Sequence, residues 1–326
     1  MRIVFHGENA ASFSHDFHLL VGETAQISVL PDALIDRAHT QTYAEADVIV
    51  GGSFSRKLPQ PRQLQLFHVP GAGYDAVDLD AIPDSAVVCN CFGHEQAIAE
   101  YVMAALLERH VPLADADRHL RQGKWTYAAG SPERVHGELA EKTIGLLGFG
   151  HIGKAIAARA KAFEMKVHVA NRSPVPTSSL VDRLYDLNRL GEFWSSADFF
   201  VVSVPSNADT VGMVNAESFA AMRASAVILN VGRGPTIDER SLYEALRDRR
   251  IAGAVIDTWY NYPSPSQASI LPSKFPFHEL PNVVMTPHMS GWTTGTINRR
   301  KQTIADNISR RTTGRPCINV VRPART

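Results

Sequence analysis

Cysteine is scarce. Three cysteines in 326 residues, Cys89, Cys91 and Cys317, are too few for a disulfide scaffold. The C-x-C pair has no second pair to complete a zinc tetrahedron, so no metal site is expected, and the thiols read as free groups in a reducing cytoplasm. Charge of one sign is also missing, because 33 basic residues face 33 acidic ones. The chain therefore lacks the field that would draw it to nucleic acid or to an anionic membrane. The late arginines Arg310, Arg311, Arg315, Arg322 and Arg325 are scattered and read as solvated. No apolar run approaches the length of a membrane helix, and Arg2-Ile-Val-Phe opens directly as a strand rather than a secretory leader. There is no internal repeat and no low-complexity tract. A composition of 44% hydrophobic and 20% charged residues is that of a globular chain, and the length suggests two domains.

What is present lies mid-chain. Residues 143–147 form a short apolar run with the character of a buried parallel strand. Gly148, Gly150 and Gly153 follow in G-x-G-x-x-G spacing, then an amphipathic helical stretch, then a second strand at 167–170. The first glycine permits a tight turn, the second lets backbone approach a pyrophosphate, and the third lets the helix pack on the strand. Amide groups at His151 and Ile152 would face the diphosphate. In this context the spacing predicts a dinucleotide site. NAD-binding versions usually carry Asp or Glu about 20 residues past the glycines, on the adenine ribose. Asn171 stands eighteen residues past Gly153, followed by Arg172 and Ser173. A neutral amide, a guanidinium and a hydroxyl suit a 2′-phosphate, which a carboxylate would repel, so NADP(H) is favoured. Binding of NAD(H) with Arg172 as a solvated residue stays open.

Further strands are expected at 3–5, 46–50, 66–69, 87–89, 199–204, 227–231, 254–259 and 283–286. Helices are expected at 97–121, split or kinked at Pro112, and at 216–222, 239–249 and 293–311, with Asp238 capping the third of these. Short apolar strands alternating with helices predict an α/β protein built on parallel sheets covered on both faces, with ligands bound at the carboxyl ends of strands. The N-terminal third reads as one such unit, and the dinucleotide unit runs to about residue 290.

Three segments follow predicted strands: Asn230-Val-Gly-Arg-Gly-Pro235, Ile256-Asp-Thr-Trp259 and Thr286-Pro-His-Met-Ser-Gly291. With the glycine motif, with Pro70-Gly-Ala-Gly-Tyr-Asp75, and with the run from Ala197-Asp198 through Val204-Pro205 to Asn215, they make the chain resemble the D-isomer-specific 2-hydroxyacid dehydrogenases. The resemblance implies two Rossmann-like doubly wound domains. A cofactor domain at 101–290 is inserted in a substrate domain made of 1–100 and 291–326. It implies reduction of a small 2-oxo acid to a D-2-hydroxy acid, and a homodimer through the cofactor domain. It implies that Arg233 holds and polarises the substrate, that His288 is the acid or base, that Asp257 bonds the nicotinamide carboxamide, that amides of Ala72, Gly73 and Tyr74 take the carboxylate, and that Val204, Pro205 and Val231 lie along the cofactor.

One position departs from the resemblance. Relatives with the Arg–Glu–His set place glutamate just before a proline, five residues after the aspartate that Asp257 matches; here Tyr262 stands before Pro263. A carboxylate beside histidine favours imidazolium, whereas tyrosine offers only a hydrogen bond. Three outcomes fit: reduction favoured at mildly acidic pH, hydride abstraction without proton transfer as in formate dehydrogenases, or a dinucleotide-binding sensor without turnover. His94 is a second possible acid, with helix capping as the plainer reading, and Glu95 a possible substitute carboxylate. Trp259, Tyr260, Tyr262 and Trp292 are candidates for an aromatic wall around the substrate, against the alternative of plain packing.

Overall fold

A computed structural model describes residues 1–130, 134–176, 178–264 and 267–325. The chain divides into two compact units, Met1–Gly93 with Thr293–Thr326, and His94–Trp292. In chain order the first unit begins with β1 (Arg2–His6), α1 (Glu8–Ala11), α2 (His18–Val21), β2 (Gln26–Leu30), α3 (Arg37–Ala44), β3 (Val48–Gly51), β4 (Leu66–His68) and β5 (Val87–Cys89). The second opens with α4 (Glu95–His110), α5 (Leu113–Leu120), β6 (Thr143–Leu147), α6 (His151–Ala162), β7 (Lys166–Ala170), β8 (Arg183–Tyr185) and α7 (Leu190–Ser195). It continues with β9 (Phe199–Val202), α8 (Ala216–Ala221), β10 (Val227–Asn230), α9 (Glu239–Arg247), β11 (Gly253–Ile256) and β12 (Val283–Met285). Then α10 (Thr294–Thr312) and β13 (Val320–Arg322) complete the first unit.

The second unit's sheet has the order β12-β11-β10-β9-β6-β7-β8, all parallel. Strands β6 to β8 run outward on one side, and β9 returns to the other side of β6. The strand order therefore reverses between β6 and β9, and their carboxyl ends form a switch point, where such sheets bind ligands. Both faces are covered. Ile144, Leu146, Val167 and Val169 pack with Ile156 and Ala160 of α6 and with Val102 and Leu106 of α4. Leu147, Phe200 and Ile228 face the opposite cluster with Phe193, Trp194, Phe219 and Leu242. Each fully buried phenyl there contributes roughly 2 kcal/mol of burial free energy. The first unit's sheet has the order β13-β5-β4-β3-β1-β2, parallel except for β13, and is likewise filled on both faces. Both sheets are Rossmann-like.

Helix α4 ends at His110, and Pro112 opens the separate α5, so the expected 97–121 helix is split. Strands β9, β10 and β11 stop two, one and three residues earlier than the apolar runs suggested. The residues just beyond leave the ladder to build the site. Asp238 accepts from the Ser241 amide and caps α9 as expected.

Candidate active site

The glycine loop leaves β6 at Gly148, whose φ is +98°, a conformation that glycine adopts without penalty. A Cβ on Gly153 would run into the Gly148 carbonyl oxygen, which fixes the contact between α6 and the loop. Gly150 caps α6, and a Cβ there would meet nothing within 4 Å, so its outer side is open. The amides at the head of α6, around His151 and Ile152, sit where the helix dipole favours a diphosphate. The Ile152 side chain packs on the core, which leaves its amide as the group able to face a ligand. Asn171 ties the loop together. Its Oδ1 accepts from the Phe149 amide at 3.1 Å, and its Nδ2 donates to the Ser173 carbonyl at 2.8 Å. The amide is thus turned onto the protein, and the expectation that it meets the cofactor directly shifts to Arg172 and Ser173. Both are exposed, and Arg172 forms no ion pair among the described residues. Val204, just past β9, packs against the core, with Pro205 exposed beside it. Val231 is buried, so only its backbone could lie along a cofactor.

The second constellation forms where β10, β11 and β12 end. Asn230 makes an Asx-type turn: its Oδ1 accepts from the Gly232 amide at 3.2 Å, and its Nδ2 donates to the Arg233 carbonyl at 3.1 Å. Thr236 Oγ1 donates to the same carbonyl at 2.6 Å. These bonds hold extended Arg233 (φ −141°, ψ 139°) out of the turn. A Cβ on Gly234 would collide with the Trp259 carbonyl, so only glycine lets the Arg233 loop close on the β11 loop.

Asp257 is fully buried and anchors the β12 loop. Its carboxylate accepts from Thr286 Oγ1 (2.6 Å), the Met289 amide (2.8 Å) and the Ser290 amide (3.0 Å). Trp259 Nε1 donates to the Thr286 carbonyl at 2.8 Å, and the Tyr101 hydroxyl from α4 lies 2.7 Å from Thr286 Oγ1. Between these anchors His288 is held in the left-handed region at φ +58°, a strained conformation for a side-chain-bearing residue. Asp257 therefore positions the histidine loop. Tyr101 was not marked by the sequence, and Thr286 only as the start of the His288 segment, since 185 residues separate the two hydroxyls.

Tyr262 approaches from the β11 loop. The Trp259 amide donates to its hydroxyl at 3.1 Å, and that hydroxyl lies 3.0 Å from His288 Nδ1. Burial pushes the His288 pKa below that of free imidazole, with Asp257 opposing and Arg233 reinforcing the shift. Burial pushes the Tyr262 phenol upward, while the Trp259 hydrogen bond and Arg233 oppose it. Arg233, Tyr262 and His288 thus lie within one another's fields. Of the four aromatics considered as a wall, Trp259 is core and Tyr260 donates to the Ile237 carbonyl at 3.0 Å. Tyr262 and Trp292 stay exposed at 48% and 42%. His94 sits at the N-cap position of α4 without a side-chain cap bond, with Nδ1 3.7 Å from Glu95 Oε2 and its Cβ side toward Gly291. In the first unit, Asn90 Nδ2 donates to the Ala72 carbonyl at 2.7 Å and the Cys91 amide to Gly71 at 3.0 Å, fixing the turn that carries Gly73 and the exposed Tyr74. Among the described residues no helix is long and apolar enough to cross a membrane, and no cluster of three His, Cys, Asp or Glu could hold a metal.

A glycine loop at a switch point, with an arginine after β10 and an imidazole after β12 at the carboxyl end of the same sheet, is the architecture of an NAD(P)-dependent oxidoreductase. The profile of the D-isomer specific 2-hydroxyacid dehydrogenase NAD binding domain matches residues 103–290. The chain belongs to that family. It is 29% identical over 312 residues to glyoxylate/hydroxypyruvate reductase B of Escherichia fergusonii, covering 91% of each chain. The 2-hydroxyacid dehydrogenase of Ketogulonicigenium vulgare superposes with a TM-score of 0.79 at 25% identity, over 99% of both chains. The NADPH-dependent glyoxylate/hydroxypyruvate reductase of Sinorhizobium meliloti, in complex with NADP and malonate, superposes with a TM-score of 0.76 at 26% identity, over 100% of this chain and 98% of that one.

Proposed function

We propose that this enzyme reduces a small 2-oxo acid to the D-2-hydroxy acid, with NADPH preferred over NADH. The observation that carries the reading is the grouping of Arg233, Tyr262 and His288 on loops fixed by Asn230, Asp257 and Trp259. The bound dinucleotide would supply the hydride. The Arg233 guanidinium fork suits a carboxylate or a carbonyl beside one, and it would polarise the ketone. The His288 imidazole would protonate the ketone oxygen. In the first unit, the amides of Ala72, Gly73 and Tyr74 are the candidates for the carboxylate. Activity on glyoxylate or hydroxypyruvate, named for the relatives, supports the substrate class. Exposed Leu113, Leu120 and Trp125 support a homodimer through the second unit, and free cysteines support a cytoplasmic setting.

Preference for NADPH rests on exposed Arg172, next to Asn171, which stands where a ribose-binding carboxylate would otherwise be. Arg172→Ala should weaken NADPH about 10- to 100-fold, the worth of one charge-assisted phosphate contact, and leave NADH nearly unchanged. Fluorescence titration of both nucleotides checks this. Equal losses would remove the basis for the preference. Consumption of NADPH with a panel of 2-oxo acids tests the reaction itself, and tight nucleotide binding with no consumption would refute it.

A further inference from the structure

The phenol that replaces the family carboxylate changes the kind of acid this site uses. We infer that the Tyr262 hydroxyl holds His288 in the Nε2–H tautomer and passes its own proton to Nδ1 as Nε2 releases one, so that a neutral tyrosine–imidazole pair is the proton source. This rests on His288 being the acid of the reaction proposed above.

A phenol carries one proton and accepts through its lone pairs. The Trp259 amide can only donate, and it occupies one lone pair at 3.1 Å. The one remaining hydrogen-bond partner of the hydroxyl among the described residues is His288 Nδ1 at 3.0 Å. No carbonyl or carboxylate among those residues draws the phenol proton elsewhere, so it lies on the line to Nδ1. A nitrogen that accepts is bare, and a neutral imidazole then carries its proton on Nε2. A glutamate at this place could only accept. It would select Nδ1–H and favour imidazolium.

The surroundings hold the pair neutral. Burial disfavours both imidazolium and phenolate. Asp257 and Arg233 are the charged groups acting on both members, and Arg233 opposes imidazolium while easing phenolate formation. From α4, Tyr101 reaches Thr286, and His94 with Glu95 stands at the helix head near Gly291. In the step itself the Nε2–H bond breaks and the ketone oxygen gains that proton as hydride reaches its carbon. The Tyr262 O–H bond breaks and Nδ1–H forms, leaving a phenolate on the Trp259 amide beside Arg233. Tyr262 is 48% exposed, so water can return its proton. The sum is one hydride from the dinucleotide and one proton from solvent.

This pair stays loaded where an imidazolium would have discharged. Reduction by the wild type should hold from pH 6 to about 9 and fall only as the phenol, pushed by burial above the usual tyrosine range, ionises. Tyr262→Glu restores an imidazolium acid, and its reduction should fall as pH rises through about 7 to 8. Tyr262→Phe should lose about 10- to 100-fold in kcat with KM for the oxo acid within about twofold. Nitrogen-15 NMR of histidine-labelled resting protein reads the tautomer without turnover. At pH 7 His288 should show a protonated Nε2 and a bare Nδ1, assigned by loss of the signal in His288→Gln. An Nδ1–H or imidazolium signal at pH 7 overturns the inference, whether or not any oxo acid is reduced. So does a wild-type profile that already falls above pH 6.5 and matches that of Tyr262→Glu.

Discussion

Asp257 shapes the His288 loop from inside the protein. Its two oxygens meet two main-chain amides and a hydroxyl of the loop that bends His288 into a strained conformation. Asparagine there would keep one acceptor and turn an NH2 toward the Ser290 amide, donor against donor, inside the protein. An unsatisfied buried amide costs about 1–3 kcal/mol. Asp257→Asn should therefore lower the melting temperature by several degrees and cut kcat about tenfold or more with a smaller change in KM; melting curves and steady-state rates check both. At this scale the sequence is informative about residue types and blind to hydrogen-bond direction. Tyr262 in a carboxylate's place is legible in the order of residues alone. That its hydroxyl takes the Trp259 amide and lies 3.0 Å from His288 Nδ1 is not.

Among the elements, periodic apolar runs and glycine spacing make β6, α6 and β7 legible to within a residue or two. Strand β2 escapes that reading because Gln26 and Ser28 interrupt its apolar pattern on an edge, and β13 because its pairing with β5 is fixed by contacts far along the chain. One such contact is His68 on β4. Its Nδ1 donates to the Val69 carbonyl at 3.1 Å, and its Nε2 accepts from Asn307 of α10 at 3.0 Å. Asn307 also takes the Ile318 amide at 2.8 Å, so one neutral imidazole braces a strand, a helix and the segment leading to β13. Burial depresses its pKa from 6.5 to about 4. The unfolded chain then binds the proton more readily than the folded one. The stabilisation is fully present above about pH 6.5 and is lost as pH falls toward 4, to a total of about 3 kcal/mol. Urea midpoints for the wild type should thus drop more steeply between pH 7 and 4.5 than those of His68→Gln. Equal slopes would show that His68 is not the acid-sensitive brace.

Across the whole molecule there are two sheets, one all parallel and one parallel except for β13, and the all-parallel sheet carries the glycine loop, Arg233 and His288 at the carboxyl ends of its strands. That placement follows from strand order, which alternation of strand and helix foretells without specifying neighbours. The proposed reaction is reduction of a 2-oxo acid by Arg233 and His288 with hydride from the dinucleotide. It is tested most directly by measuring kcat/KM for a reducible 2-oxo acid together with NADPH affinity in wild type, Arg233→Ala and His288→Ala. Each variant should lose at least about 100-fold in kcat/KM, the scale of a lost transition-state contact or general acid, with NADPH affinity within about threefold of wild type. Full activity in either variant, or a loss explained entirely by weaker NADPH binding, would contradict it.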